Sequence, residues 1–308
     1  MGRVRLLFVA CIFSVLLPAA NVLAQQNTED GLFFDDFALA DTATLAQHGW
    51  TRRTQAGHPG ISDAQWDPEM VQLVSDEGMP GNGLLRLKGM TQGVAGTTRQ
   101  SQICQQRRFF EGTYAARVRF SDLPVQGPPG DVVVQSFYAV APLRFDFDPQ
   151  FSEVDWEYLP NGGWGDTRTR LYGVSWQTVQ IEPWNAFNQS HQWMQSMDGW
   201  HILVMQVARG QVRMLVDGVP FATHGGRNYP VVPMSINFNL WFSPGGALPG
   251  VSELRVYQQE VDWVFHRRDQ VMAHAEVVQW VHSMRAKGVA YQDSMPPQNP
   301  DVPALCNF

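Results

Sequence analysis

Residues 151–164, FSEVDWEYLPNGGW, place a carboxylate at every second position and then end in a glycine-rich turn. Because side chains alternate between the two faces of a β-strand, one face receives Phe151, Glu153, Asp155 and Glu157, and the other receives Val154, Trp156 and Tyr158. The apolar face is typical of a strand packed on a core. Acidic side chains are poor strand formers and repel one another, so three in a row predict a use for the charged face.

Short strand patterns occur through most of the chain. Branched or aromatic residues, often alternating with polar ones, predict strands at Leu84–Lys88, Gly112–Phe120, Val132–Val140, Val154–Leu159, His201–Ala208, Val212–Val216 and Ser235–Trp241. Turn residues separate these segments, and Asp217-Gly218 is typical of a hairpin connection. So many strands, with almost no helical pattern before residue 268, predict an all-β fold in which two antiparallel sheets pack face to face.

The two ends of the chain depart from this pattern. Residues 1–24 combine Arg3 and Arg5 with a short apolar run and small residues before Gln25, which predicts a secretory signal peptide. Residues 25–265 then form the sandwich domain. Residues 266–308 contain one predicted amphipathic helix at 271–287 and a proline-rich tail, and we expect both to pack on the same domain.

Charge and export limit the function classes. The chain has 22 basic and 29 acidic residues, and removal of the signal leaves 20 basic against 29 acidic residues, a net charge of −9. Such an acidic protein is a poor nucleic-acid binder. We expect a secreted protein, extracellular or periplasmic, that is monomeric and has no membrane association once the signal is removed.

Two cysteines, Cys104 and Cys306, remain after removal of the signal. In an exported chain they can form one disulfide, which would tie the C-terminal tail to the main body. Two unpaired buried thiols are the alternative.

The alternating carboxylates and their surroundings resemble glycoside hydrolase family 16. The family signature of Glu, apolar, Asp, apolar, Glu is matched without a gap by residues 153–157. Similar segments follow the family order at 112–119, 136–138, 198–201, 216–218, 233–234, 239–241 and 261–264. The resemblance covers roughly residues 32–265 and implies a concanavalin A-like β-jelly-roll sandwich.

The resemblance also implies a retaining mechanism on internal linkages of a β-linked polysaccharide, such as a β-glucan. Glu153 would attack the anomeric carbon, and Glu157 would protonate the leaving oxygen and later activate water. Asp155 would hydrogen-bond to the nucleophile. The residues themselves support this division, because three neighbouring carboxylates cannot all ionise easily and one should keep a raised pKa suited to an acid.

A glycan site needs aromatic rings that stack on the apolar faces of sugars, although most of the 11 tryptophans must be core residues. Phe151 is a candidate because it shares the carboxylate face, and Asn239 and Trp241 match the family's Asn-Leu-Trp segment. Trp164 and Trp176 are further candidates, since they flank turns after the signature.

No cofactor is expected for this chemistry. The eight histidines show no pair at metal-ligand spacing. A structural calcium ion is known in the family, but the sequence assigns no ligands to it.

Two alternative functions stay open at the level of the sequence. A transglycosylase would use the same residues and pass the glycosyl group to another sugar. A lectin on the same jelly roll would bind carbohydrate without catalysis, but it would have no need for the complete carboxylate set.

Overall fold

A computed structural model describes residues 1, 2, 30–39, 41–297 and 306, so the predicted signal peptide lies almost entirely outside the described residues. The described part contains 17 strands. They are β1 (Leu32–Asp35), β2 (Thr51–Arg52), β3 (Gln65–Trp66), β4 (Val71–Ser75), β5 (Gly83–Thr91), β6 (Arg99–Cys104), β7 (Gly112–Phe120), β8 (Val133–Val140), β9 (Glu153–Leu159), β10 (Arg170–Gln180), β11 (Asn185–Trp193), β12 (Gly199–Ala208), β13 (Gln211–Val216), β14 (Val219–Gly225), β15 (Ser235–Phe242), β16 (Arg255–Arg268) and β17 (Tyr291–Asp293). Helix α1 spans His274–Ala286, and short 3-10 helices lie at Thr44–His48, Pro68–Met70, Ala95–Thr97 and Gly226–Asn228.

The strands form two layers. The carboxylate sheet has the order β2–β6–β15–β8–β9–β10–β11, with every pair antiparallel. The helix sheet has the order β14–β13–β12–β7–β16–β5–β4, and the second half of β16 also pairs with β1, which pairs with β17. The first residues of β6 also pair with β5 and, in parallel, with β3, which connects the two layers. The prediction of an all-β sandwich of two sheets is confirmed.

The core lies between the two sheets and follows the predicted alternation. Val154, Trp156 and Tyr158 of β9 are fully buried and belong to the same cluster as Tyr114 and Val118 of β7. Burying a large apolar side chain contributes roughly 1.5–3 kcal/mol, so the apolar face of β9 fixes which way its carboxylates point.

The predicted strands all occur, with ends within three residues of the observed ones. The hairpin at Asp217-Gly218 is also confirmed, and both residues have positive φ, 51° and 80°. The long β10–β11 hairpin was not predicted. Strand β11 is exposed on both faces, so it lacks the polarity alternation that reveals a half-buried strand.

Helix α1 begins three residues later and ends one residue earlier than the predicted 271–287. Residues before it are held extended, because Thr113 Oγ1 donates to the carbonyl of Gln270 and Gln206 Nε2 donates to that of Met272. Val277, Val281 and Met284 of the helix pack on the outer face of the helix sheet. Among the described residues, no helix is long and apolar enough to cross a membrane.

The predicted disulfide is present in the structure. Cys104, at the end of β6, is bonded to Cys306, and their Cα atoms are 5.4 Å apart. The C-terminal segment therefore contacts both layers: α1 and β17 lie on the helix sheet, and residue 306 lies against the carboxylate sheet.

Candidate active site

The three carboxylates lie on the outer face of β9, near the middle of the carboxylate sheet. Glu153 and Asp155 are 7% and 3% exposed, and Glu157 is partly exposed. Register places Trp176 of β10 beside Glu153, Tyr138 of β8 beside Asp155, and Ser136 of β8 beside Glu157. The alternation of β9 thus brings the three predicted catalytic side chains to one partly covered surface.

Asp155 is positioned by an aromatic donor. The indole Nε1 of Trp176 donates a hydrogen bond to Asp155 Oδ2, and a proton on Asp155 would let it donate a hydrogen bond to Glu153. Among the described residues, none of the three carboxylates forms an ion pair with a basic side chain. Their charges are therefore held close together without a neutralising cation.

This arrangement shifts the acidity of all three groups in the same direction. Burial raises the pKa of Glu153, and repulsion from Glu157 adds to the rise, while the hydrogen bond from Asp155 opposes it. Burial, followed by repulsion from Glu153 and Glu157, raises the pKa of Asp155. Burial also raises the pKa of Glu157 to about 7. The cluster therefore keeps its protons to higher pH than isolated carboxyl groups do.

A polar band extends from the carboxylates across the neighbouring strands. Asn239 of β15 accepts from Ser136 Oγ and donates to the hydroxyl of Tyr138 at 3.1 Å. Gln102 of β6 donates to the same hydroxyl at 2.8 Å and accepts from Arg53 Nη1 at 2.8 Å. The Tyr138 hydroxyl oxygen accepts both of these hydrogen bonds, so its O–H group is still able to donate to another acceptor. Burial raises the pKa of Tyr138, and the nearby charge of Glu153 adds to the rise.

Two apolar clusters flank this polar band, one at each end of the strands. The first contains Tyr138, Val140, Phe151 and Val179, with Trp176 packed against it. The second contains Trp66, Val134, Leu159 and Trp241, with Tyr172 packed against it. A polar surface between two apolar clusters is the combination that a sugar-binding site requires.

The five predicted sugar-binding residues all lie near this face. Asn239 is in the band, Trp176 touches Asp155, and Phe151 and Trp241 belong to the first and second clusters. Trp164 is 50% exposed in the β9–β10 connection, and its ring centroid is 5.2 Å from that of Tyr172. Their contact with sugar stays a prediction.

Other residues of this surface were not predicted as site residues. Tyr138 and Ser136 could have been found, because they alternate along a predicted strand next to β9. Arg53, His58 and Trp184 lie in connections, where no periodicity in the sequence indicates which side chain turns toward the sheet.

In the part of the chain that the structure describes, no three His, Cys, Asp or Glu side chains are grouped to hold an ion. We therefore assign no ligands to the calcium ion that the resemblance brings with it.

Solved structures with a similar architecture include several glycan-cleaving enzymes. A β-glucanase of Bacillus licheniformis is 18% identical, with a TM-score of 0.55, over 77% of this chain and 98% of that one. A glycoside hydrolase family 16 endo-glucanase from Bacteroides ovatus is 16% identical, with a TM-score of 0.56, over 75% and 98%. The κ-carrageenase from Pseudoalteromonas carrageenovora is 15% identical, with a TM-score of 0.50, over 76% and 92%.

No protein-family model matches the chain, and no curated protein matches it. The likeness is therefore one of three-dimensional structure, and it confirms the fold that the resemblance implies. This chain has a jelly-roll sandwich of the kind found in glycoside hydrolases of family 16.

Proposed function

We propose that this protein is a secreted, retaining glycoside hydrolase that cleaves β-linkages of a polysaccharide such as a β-glucan. The observation that carries the proposal is a cluster of three carboxylates, two buried and one partly exposed, on one face of a fold shared with endo-glucanases. Among the described residues, none of them has an ion-pair partner. Such a cluster costs folding free energy, and this cost is understandable at a catalytic site. The disulfide between Cys104 and Cys306 supports export to an oxidising compartment.

The hydrogen bonds support distinct roles for the carboxylates. Trp176 holds Asp155, and the raised pKa of Asp155 favours a proton there that can be donated to Glu153 and oppose the rise in the pKa of Glu153. Glu153 is therefore suited to be the nucleophile. Glu157, with its pKa raised to about 7, is suited to carry a proton at neutral pH.

The reaction then has two steps. In the first, a Glu153 oxygen bonds to the anomeric carbon while the bond from that carbon to the glycosidic oxygen breaks, and Glu157 gives its proton to the departing oxygen. In the second, Glu157 takes a proton from water, and the water oxygen displaces Glu153 from the anomeric carbon. Inversion at each step restores the original configuration of the sugar.

The flanking clusters support a glycan as the substrate. Aromatic rings such as Trp176, Tyr172 and Trp164 lie next to the polar band, where they can cover the C–H faces of sugar rings. The solved structures include complexes of related folds with laminaritriose and with a κ-carrageenan oligosaccharide. We propose the same broad class, a β-linked polysaccharide, for this chain.

The test is a panel of mixed-linkage glucan, laminarin, β-1,4-glucan, xyloglucan and κ-carrageenan incubated with purified protein. We expect new reducing ends on at least one polymer, and proton NMR should show that the product first formed keeps the β-configuration. Products longer than the substrate would identify a transglycosylase. Binding of a polymer with neither cleavage nor transfer would contradict the proposal and identify a lectin.

A further inference from the structure

The polar band is covered on one side of the carboxylates and open on the other. Toward β2, its side chains Arg53, Gln102 and Asn239 are 1%, 2% and 3% exposed. Toward β11, Asn188 and Ser190 are exposed, and the register places them beside the partly exposed Trp176 and the buried Val174 of β10. Strand β9 lies at the border between the covered and the open side.

The connection after β2 covers the closed side. Arg53 holds this connection to the sheet, because its Nε donates to the carbonyl of Gln55 at 2.8 Å and its Nη2 donates to those of Gly57 and His58 at 3.0 Å. The guanidinium also lies over the ring of Trp66, 4.1 Å from the ring centroid. Residues 53–58 are thereby fixed on the face of the sheet by a buried cation.

The disulfide adds a second covering element. Cys104 lies in the same register row as Asn237, Tyr138 and Asp155, so its partner Cys306 is attached directly to the face that carries the carboxylates. Cys306 is 4% exposed. Together with His58, Pro59 and Val140, it surrounds a small cavity above Tyr138.

An aromatic contact joins this cover to the tip of the β10–β11 hairpin, while the length of β11 stays exposed. The ring of His58 stacks on Trp184 at the tip of the β10–β11 hairpin, with centroids 5.6 Å apart and planes at 25°. Trp184 in turn meets Trp176 edge to face at 6.0 Å, and Trp176 binds Asp155. We call Arg53, His58, Trp184 and the Cys104–Cys306 disulfide the clasp.

We propose that the clasp makes the site a pocket that accepts the end of a glycan chain, so that short products of defined length are released. This inference rests on the proposed glycosidase function and departs from the cleavage of internal linkages that the family resemblance implies. Neighbouring strands in a sheet lie ~4.8 Å apart. The cover over β8, β15, β6 and β2 therefore blocks roughly 14–19 Å of the sheet surface to a glycan that runs across the strands. A polysaccharide bound through its interior would need that path, whereas a chain end enters over β10 and β11 and stops at β9.

The test uses the full-length protein and the panel polysaccharide that it cleaves fastest. Viscosity and new reducing ends are measured in the same samples. We expect reducing ends to accumulate as one short product while the viscosity stays nearly unchanged. An early collapse of viscosity with a ladder of products would overturn the inference and leave the glycosidase function standing. Absence of cleavage on every polymer would overturn the glycosidase function itself, and this inference with it.

Trp184→Ala tests whether the clasp closes the pocket. Trp184 is 56% exposed, so its removal should spare the fold and loosen the contact with His58. We expect a larger fall in viscosity for each reducing end formed, and products with a wider range of lengths. Phe187→Ala is the matched control, because Phe187 is 51% exposed on the same hairpin but contacts Phe147 instead. Its product pattern should equal that of the wild type.

A second variant tests the clasp at a place away from Trp184, so that an effect of the Trp184 substitution on the hairpin alone can be recognised. Cys104→Ser/Cys306→Ser frees residue 306 from the sheet and should shift the products in the same direction. Wild-type product patterns in both Trp184→Ala and the double serine variant would show that the clasp does not close the pocket.

Discussion

The tetrapeptide Glu-Val-Asp-Trp occurs twice in this chain, at 153–156 in β9 and at 260–263 in β16. In both places the two carboxylates are buried: Glu153 and Asp155 are 7% and 3% exposed, and Glu260 and Asp262 are 2% and 1% exposed. The local sequence and the burial are thus nearly the same. The partners of the two pairs are different.

In β16 each carboxylate meets arginines. Glu260 pairs with Arg86 at 2.6 Å, and Asp262 pairs with Arg117 and Arg285, each at 2.8 Å. Burial alone would raise the pKa of Asp262, but the hydrogen bond and charge of Arg285, with help from Asn82 and Arg117, lower it. In β9 no such cation is present among the described residues, and the pKa values rise. The partners of a buried acid, and not its motif, therefore decide whether its pKa falls, as suits a structural ion pair, or rises, as suits the proposed chemistry.

The largest expected difference between the two copies is in catalysis. Glu153→Gln removes the charge that attacks the anomeric carbon, so kcat should fall on the order of 10⁴-fold or more, as it does for other covalent nucleophiles. Glu260→Gln should leave kcat near the wild-type value, measured well below the unfolding temperature. Equal losses in the two variants would remove the distinction between the copies.

The next largest difference is in stability. Asp262→Ala leaves Arg117 and Arg285 without their shared partner, and because these arginines are 28% and 22% exposed, we expect a cost of roughly 2–3 kcal/mol in the free energy of unfolding. Asp155→Asn keeps the shape and can still accept from Trp176, and it removes an acid whose ionisation burial disfavours. Its urea midpoint should be equal to or above that of the wild type. A large destabilisation by Asp155→Asn would break the comparison.

The sequence anticipates the part of the site that depends on alternation. The polarity pattern of β9 correctly predicts which face enters the core, and the same rule applied to β8 would add Ser136 and Tyr138. It does not anticipate Arg53 or Trp184, because their positions depend on how two distant connections meet. Nor can it separate the two Glu-Val-Asp-Trp copies, since Arg86, Arg117 and Arg285 come from other elements.

The smallest expected effect is in the pH dependence of stability. The pKa of Glu157 is about 7 in the folded protein against 4.5 for an unperturbed glutamate, so its contribution to stability is fully present below about pH 4.5 and is lost as the pH rises toward 7. We expect Glu157→Gln to remove about 1–2 kcal/mol of this decline, because partial exposure reduces the full linkage value.

Asp262 should show the opposite sign. Its folded pKa lies below 3.8, so its contribution is present above that pH and is lost as the pH falls through the folded value. Urea unfolding of wild type, Glu157→Gln and Asp262→Ala between pH 3 and 8 measures both trends. Identical pH profiles of the free energy of unfolding for the three proteins would contradict the raised pKa of Glu157 and the lowered pKa of Asp262.

The proposed mechanism requires that Glu153 becomes covalently bonded to the sugar. The direct measurement is mass spectrometry of the protein after reaction with a 2-fluoro-glycoside of the cleaved glycan that carries a good leaving group, because the fluorine slows the second step and lets the intermediate accumulate. We predict one added glycosyl group on the peptide that contains Glu153, and none on the peptide that contains Glu260. Turnover of the natural glycan without any adduct, together with a product of inverted configuration, would contradict the retaining mechanism.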